Sequence, residues 1–122
     1  MCNRKIASYR DLDVWKRGMR LVSDIYHLTV SFPQPEKYGL VSQMRRSVVS
    51  VPSNIAEGWG QKTARHYVHH LRLARSSVFE TETQVLISMH LGYIEHAVGE
   101  KILRDTDIES RMLMNLIKSI ES

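Results

Sequence analysis

Apolar residues recur along this chain at steps of three and four, the period of an amphipathic helix, in four segments separated by short stretches rich in Pro, Gly or small polar residues. No strand-like alternation is present. The first helix is predicted to start near Asp11 and run to about Ser31, where Phe32, Pro33, Gln34 and Pro35 stop it. Leu12, Trp15, Met19, Val22 and Tyr26 share one face of it, the stripe expected to seat it in a core. The second helix is predicted from near Tyr38 to the Gly58-Trp59-Gly60 punctuation, with Leu40, Met44, Val48, Val51 and Ile55 inward. Pro52 lies inside it, removes the bond to the Val48 carbonyl, and is expected to kink the helix or divide it near Ser50. Thr63 is the expected N-cap of the third helix and Gly92 its C-terminal glycine, with Tyr67, Leu71, Ala74, Val78, Val85 and Met89 inward. The fourth begins between Ala97 and Lys101, carries Ile102, Met112, Leu113, Leu116, Ile117 and Ile120, and is expected to loosen at Asp105 to Asp107.

Helices of ~20 residues extend ~30 Å, and short links between them favour an all-α fold, an antiparallel up-down-up-down four-helix bundle. A chain of 122 residues that is 43% apolar suits one such domain, with residues 1–10 as an N-terminal arm. Cys2 is the single cysteine, so no intrachain disulfide forms and a reducing compartment costs nothing. No apolar block follows Arg4 and Lys5, and no run approaches the ~18 apolar residues of a membrane span, so a cytoplasmic protein is expected.

One apolar stripe is enough for a bundle helix, yet the first helix carries a second, formed by Val14, Leu21, Ile25, Leu28 and Phe32 with Gly18 among them. In the third helix Leu73 and Ile87 project opposite Leu71 and Val78. Either a kinked neighbour covers the surplus within one subunit, or the chain associates with itself; self-association is the prediction.

Charge adds a polarity. Residues 1–75 hold 13 Lys and Arg against 5 Asp and Glu, a net +8, whereas residues 76–122 hold 4 against 8, a net −4. Lys62, Arg65, His69 and Arg72 follow one another at steps of three and four away from the core face of the third helix, forming a basic ridge. Trp59 precedes it as a candidate to stack on a base or sugar, and Arg45 and Arg46 on the second helix add guanidinium groups suited to phosphate oxygens. Lys16, Arg17 and Arg20 form a third cluster, partly neutralised by Asp13 and Asp24. The pattern suits contact with a nucleic-acid backbone without base readout; equally, such residues furnish ordinary solvated helix faces.

His66 and His70 have the i, i+4 spacing of helical zinc ligands, with His69 beside them, but no acidic or Cys ligand completes a site, and no metal is expected. Arg75 and Glu82 fall in or beside the apolar face of the third helix, where isolated charges are costly, so Glu82 is expected to pair with Arg75 or with Arg45. Glu57 and Asn54 are read with them as buried or helix-end polar groups that fix register. Ser47, Ser50, Ser53, Ser76 and Ser77 stand in no nucleophile motif and read as small packing residues. No constellation reads as a catalytic centre, so neither an enzyme nor a cofactor is expected.

The motifs Tyr9-Arg10-Asp11-Leu12-Asp13-Val14-Trp15, Gln43-Met44-Arg45-Arg46-Ser47, Val51-Pro52-Ser53-Asn54-Ile55-Ala56-Glu57-Gly58, Glu80-Thr81-Glu82-Thr83-Gln84 and Leu91-Gly92-Tyr93 are jointly specific. From Tyr9 to Ile120 the chain resembles the bacterial four-helix-bundle family encoded in intervening sequences of 23S ribosomal RNA genes, also labelled the S23 ribosomal protein family. The resemblance implies a closed ring, a homopentamer, and a relation to the accessory protein of diversity-generating retroelements, which binds nucleic acid and a reverse transcriptase. Two departures stand out: Thr63-x-x-His66 replaces the family's Ser-x-x-Glu capping box, and Arg75 replaces a small residue. The expected function is an oligomeric, sequence-tolerant RNA- or DNA-binding scaffold, with a module that docks on an acidic protein partner as the alternative.

Overall fold

A computed structural model describes residues 5–122. Cys2 and the first four residues of the expected arm lie outside this range. Four long helices follow an opening 3₁₀ turn at Tyr9–Asp11: α1 (Asp13–Thr29), α2 (Leu40–Trp59), α3 (Ala64–His90) and α4 (His96–Glu121), with a second 3₁₀ turn at Gln34–Glu36 between the first two. Among the described residues there is no strand. No helix is long and apolar enough to cross a membrane.

Local chemistry explains the element ends. Ser8 Oγ accepts from the Arg10 amide at 3.0 Å while Asp11 Oδ2 accepts from the Ala7 and Ser8 amides at 2.8 and 3.1 Å, so Asp11 closes a capping box. Leu12 is then extended and resets the chain direction, which is why α1 starts at Asp13 and not at the expected Asp11. Thr63 caps α3 as expected, its Oγ1 accepting from the His66 amide at 3.2 Å. The same hydroxyl lies 2.8 Å from His66 Nδ1, so the histidine returns to the cap through the Thr63 side chain. At the other end Gly92 adopts φ 77°, and the Gly92 amide donates to the Met89 carbonyl and the Tyr93 amide to that of Ser88, a Schellman termination. Of the two outcomes expected at Pro52, a kink or a division, division does not occur: α2 runs through as one helix, and α4 continues unbroken through Asp105–Asp107, where loosening was expected.

Cross-helix pairs run in opposite order along neighbouring helices: Ser47 meets Thr81 and Gln84, Ser50 meets Ser77, and Asn54 meets His70. Two apolar clusters fill the interior. Val14, Val51, Ile55, Leu71, Val78, Leu113 and Ile117 form one, and Leu21, Ile25, Phe32, Met44, Val48, Val85 and Ile102 the other.

The inner face of α1 differs from the expected one. Val14, Gly18, Leu21, Ile25 and Thr29 are buried, whereas Met19 and Tyr26 of the stripe first assigned to the core are 42% and 41% exposed. Gly18 decides between the two faces. A Cβ there would lie 3.3 Å from Val51 Cγ1 and 3.4 Å from Pro52 Cδ, so the bare glycine lets α1 approach α2 along its own stripe. The inward positions expected for α2 hold, apart from half-buried Leu40, and Leu73 and Ile87 of α3 are exposed as the helical count requires.

Small polar residues also take a larger part than packing. Ser47 Oγ lies 2.8 Å from Thr81 Oγ1 and donates to Gln84 Oε1 at 2.7 Å, all three being buried, and Ser50 hydrogen-bonds Ser77. These bonds fix the α2–α3 register, while Ser53 and Ser76 face solvent.

Candidate nucleic-acid interface

The N-cap at Thr63 sets the rotation of the first turns of α3, and with it the direction of the basic ridge. Lys62, Arg65, His69 and Arg72 are all exposed. Beside them, between α3 and the end of α4, an open groove of about 570 Å³ is lined by Arg65, Val68, His69, Arg72, Ile120 and Glu121. Arg72 Nη2 donates to Glu121 Oε2 at 3.0 Å, with both side chains about half exposed, so water and salt compete with the pair. Trp59 ends α2 at this end of the molecule, half-buried, with its ring edge-on at 6.3 Å to that of Tyr67, which lies on the side of α3 away from the ridge. Tyr67 is itself half-buried, and burial raises its phenol above the ordinary tyrosine range. Ridge, groove and Trp59 thus share one end of the molecule.

Arg45 and Arg46 do not join them. The Ser47 bonds to Thr81 and Gln84 place this part of α2 beside the middle of α3, 16 to 19 residues beyond Arg65 and therefore roughly 25–30 Å along the helix axis. Arg45 is also engaged: its Nε donates to Thr29 Oγ1 at 3.0 Å, Nη2 donates to the Tyr26 carbonyl at 3.3 Å, and the guanidinium lies over the Tyr26 ring. Arg46 is exposed and lines a shallow depression with Lys37, Tyr38 and Val49.

The expected buried ion pair takes other partners. Arg75 Nε donates to the Ser110 carbonyl at 3.1 Å and its guanidinium covers the Phe79 ring, while Glu82 Oε2 accepts from Thr106 Oγ1 at 3.0 Å. Each reaches across to α4 because seven residues separate them along α3, two full turns, and a nearer acceptor or donor faces each. Asn54 is half-buried, bonded to the Ser50 carbonyl and to His70 Nδ1, but Glu57 is exposed and belongs to no buried set. His66 and His70 are thus occupied by Thr63 and Asn54, and among the described residues no group of three His, Cys, Asp or Glu side chains could hold a metal ion.

One charged residue escaped the reading of the sequence. Glu109 is 0% exposed, and neither carboxyl oxygen has a hydrogen-bond partner. Burial pushes its carboxyl up to about 8, against the pull of Arg17 and Arg20 in the opposite direction. The signal was available: Ile102, Thr106, Glu109, Leu113 and Ile117 recur at steps of four and three, which puts a glutamate on the buried stripe of α4.

Residues 10–115 match the family model of the 23S rRNA-intervening sequence protein. The chain belongs to this family. Among solved structures, the 23S rRNA-intervening sequence protein fold is matched by the 1.70 Å crystal structure of a protein of unknown function from the S23 ribosomal protein family of Bacteroides thetaiotaomicron VPI-5482. The two chains are 22% identical and superpose with a TM-score of 0.78, over 86% of this chain and 98% of the other. At that identity the likeness establishes the bundle fold and nothing about partners. No curated protein matches the sequence.

Proposed function

We propose that this member of the 23S rRNA-intervening sequence family is a non-catalytic, oligomeric scaffold that binds nucleic acid through its phosphate backbone. The carrying observation is the exposed ridge of Lys62, Arg65, His69 and Arg72 beside an open groove. Arg65 and Arg72 on one face of α3, with Lys62 just before it, suit phosphates at a helical repeat. Trp59, at the same end, supplies a ring for stacking. Arg46, roughly 15–30 Å from the members of the ridge by the helical rise, serves as a separate contact point on a strand long enough to reach it.

Self-association supports the same reading. Met19, Tyr26 and Val30 on one side and Leu73, Phe79, Leu86 and Ile87 on α3 leave large apolar side chains in solvent that contact between copies would cover. A ring, with five subunits as the family resemblance implies, would repeat the ridge around an axis and turn weak single contacts into an avid polyanion surface.

Titration of labelled RNA into the purified protein at about 50 and 200 mM salt tests the proposal. Binding that weakens with salt and is lost when Lys62, Arg65 and Arg72 become Glu supports it. Absence of binding at the lower salt overturns it, and recovery of one acidic protein by the same ridge after nuclease treatment would favour the docking-module reading instead.

A further inference from the structure

The seam between α1 and α4 holds three orphaned polar atoms: both carboxyl oxygens of Glu109 and Nε of Arg17, all buried and without a hydrogen-bond partner. Buried polar atoms left unpaired are rare and ask for a reason. Arg17 points its Nη2 at Asp105 from 3.9 Å, a long contact for an ion pair. Asp105 precedes Glu109 by one helical turn, so both carboxyls are presented to the same guanidinium from one face of α4. Asp105 has another cation, because Lys101 Nζ reaches its Oδ2 at 3.1 Å, and it stays compensated if Arg17 turns away.

Arg17 and Asp105 border open space that Glu109 does not line. A cavity of about 360 Å³ lies in the seam, lined by Arg17, Arg20, Asp24, Lys101 and Asp105 among others. The remaining walls are quiet. α2 brings Val51 and Pro52 to Gly18 beside Glu109 Oε2, and the charges that α3 contributes are spent elsewhere, Arg75 on the Ser110 carbonyl and Glu82 on Thr106.

We propose that Glu109, Arg17 and Asp105 form a proton-controlled latch across the α1–α4 seam: the guanidinium rests toward Asp105 while the buried carboxyl is neutral, and closes onto Glu109 when that carboxyl ionises. The neutral state leaves a buried carboxylic acid, which is tolerable, whereas the charged state requires a partner: Arg17 and Arg20 both act on Glu109, and Arg17 is the one with a buried, unpartnered Nε. The raised proton affinity that burial confers on Glu109 places the change in the weakly alkaline range. Closing the latch withdraws one positive charge from the cavity mouth and draws α1 toward α4.

Carbon-13 NMR of the full chain with labelled glutamate, the Glu109 carboxyl assigned through Glu109→Gln, tests the latch. Glu109 is expected to titrate well above the surface glutamates, and Asp105→Asn to move its midpoint down by about one pH unit by freeing Arg17. In an Arg17→Met background the midpoint is expected to rise, and Asp105→Asn to lose most of its effect. A Glu109 that titrates with the surface glutamates, or an Asp105→Asn shift equally large with and without Arg17, overturns the proposal. Should Arg17→Met fail to fold, the Arg17 Nε–H resonance of the unmodified protein decides: it is expected to move and become protected from solvent exchange in step with Glu109, and indifference to pH across that midpoint overturns the latch.

Discussion

The guanidinium of Arg45 lies 4.5 Å from the centroid of the Tyr26 ring, and the same side chain bonds the Tyr26 carbonyl and the Thr29 hydroxyl at the C-terminal end of α1. An arginine read from sequence as a phosphate ligand therefore ties α2 to α1. Thr29 Oγ1 also donates to the Ile25 carbonyl at 2.7 Å, so the hydroxyl is oriented to accept from Arg45.

Arg45→Met is accordingly expected to destabilise the fold by about 1–2 kcal/mol, through the loss of two hydrogen bonds and a cation–ring contact. RNA affinity at fixed salt is expected to change less than twofold. Urea unfolding alongside an RNA titration checks both, and a large loss of affinity with unchanged stability would return Arg45 to the binding surface.

The ridge behaves differently. If the ridge holds phosphates as proposed, replacing Lys62, Arg65 and Arg72 together by Gln would remove up to three such contacts, and at ~0.7 counterion per contact for a single strand the slope of log affinity against log salt is expected to shrink by about 2. Because these side chains are exposed, thermal stability is expected to stay nearly constant. Titrations at several salt concentrations measure the slope directly. An unchanged slope would remove the ridge from the interface.

What the sequence made legible, and what it left hidden, follows from the range of each interaction. Thr63 and Gly92 act within a turn of their own positions, so both ends of α3 could be read locally. The face that α1 buries could not, since two apolar stripes compete and the close approach at Gly18 depends on Val51 and Pro52 more than thirty residues away. For the candidate site, the ridge was legible because its members follow one another just before and along α3. The contacts of Arg45 were hidden because its partners Tyr26 and Thr29 belong to another helix. Glu109 was visible in the period of α4 and was passed over.

Ser47 gives a test of the buried hydrogen bonds that sequence reading took for packing. Ser47→Ala leaves Thr81 Oγ1 and Gln84 Oε1 buried with a partner lost, and is expected to cost about 1–3 kcal/mol. Ser53→Ala, on the exposed side of the same helix, is expected to stay within about 0.5 kcal/mol of the unmodified protein. Equal effects in denaturant melts would mean that the serines do no more than fill space.

The same physical property of Glu109 governs how stability depends on pH. Its carboxyl holds a proton up to about pH 8 in the fold but only to about 4.5 in the unfolded chain. Between those values the folded state binds more protons than the unfolded one, so the contribution of this group falls as pH rises, and it is level below the window and above it. The limiting slope is ~1.4 kcal/mol per pH unit, and stronger pairing with Arg17 on ionisation would lower the folded midpoint and narrow the window. Salt-bridged carboxylates of the ordinary kind act with the opposite sign, so the comparison must be with Glu109→Gln, which keeps the shape and removes the titration. Melting temperatures of the two proteins are expected to converge near pH 5 and to separate progressively toward pH 8, with the glutamine variant the more stable. Parallel curves over that window would mean that Glu109 is already ionised in the folded protein at neutral pH.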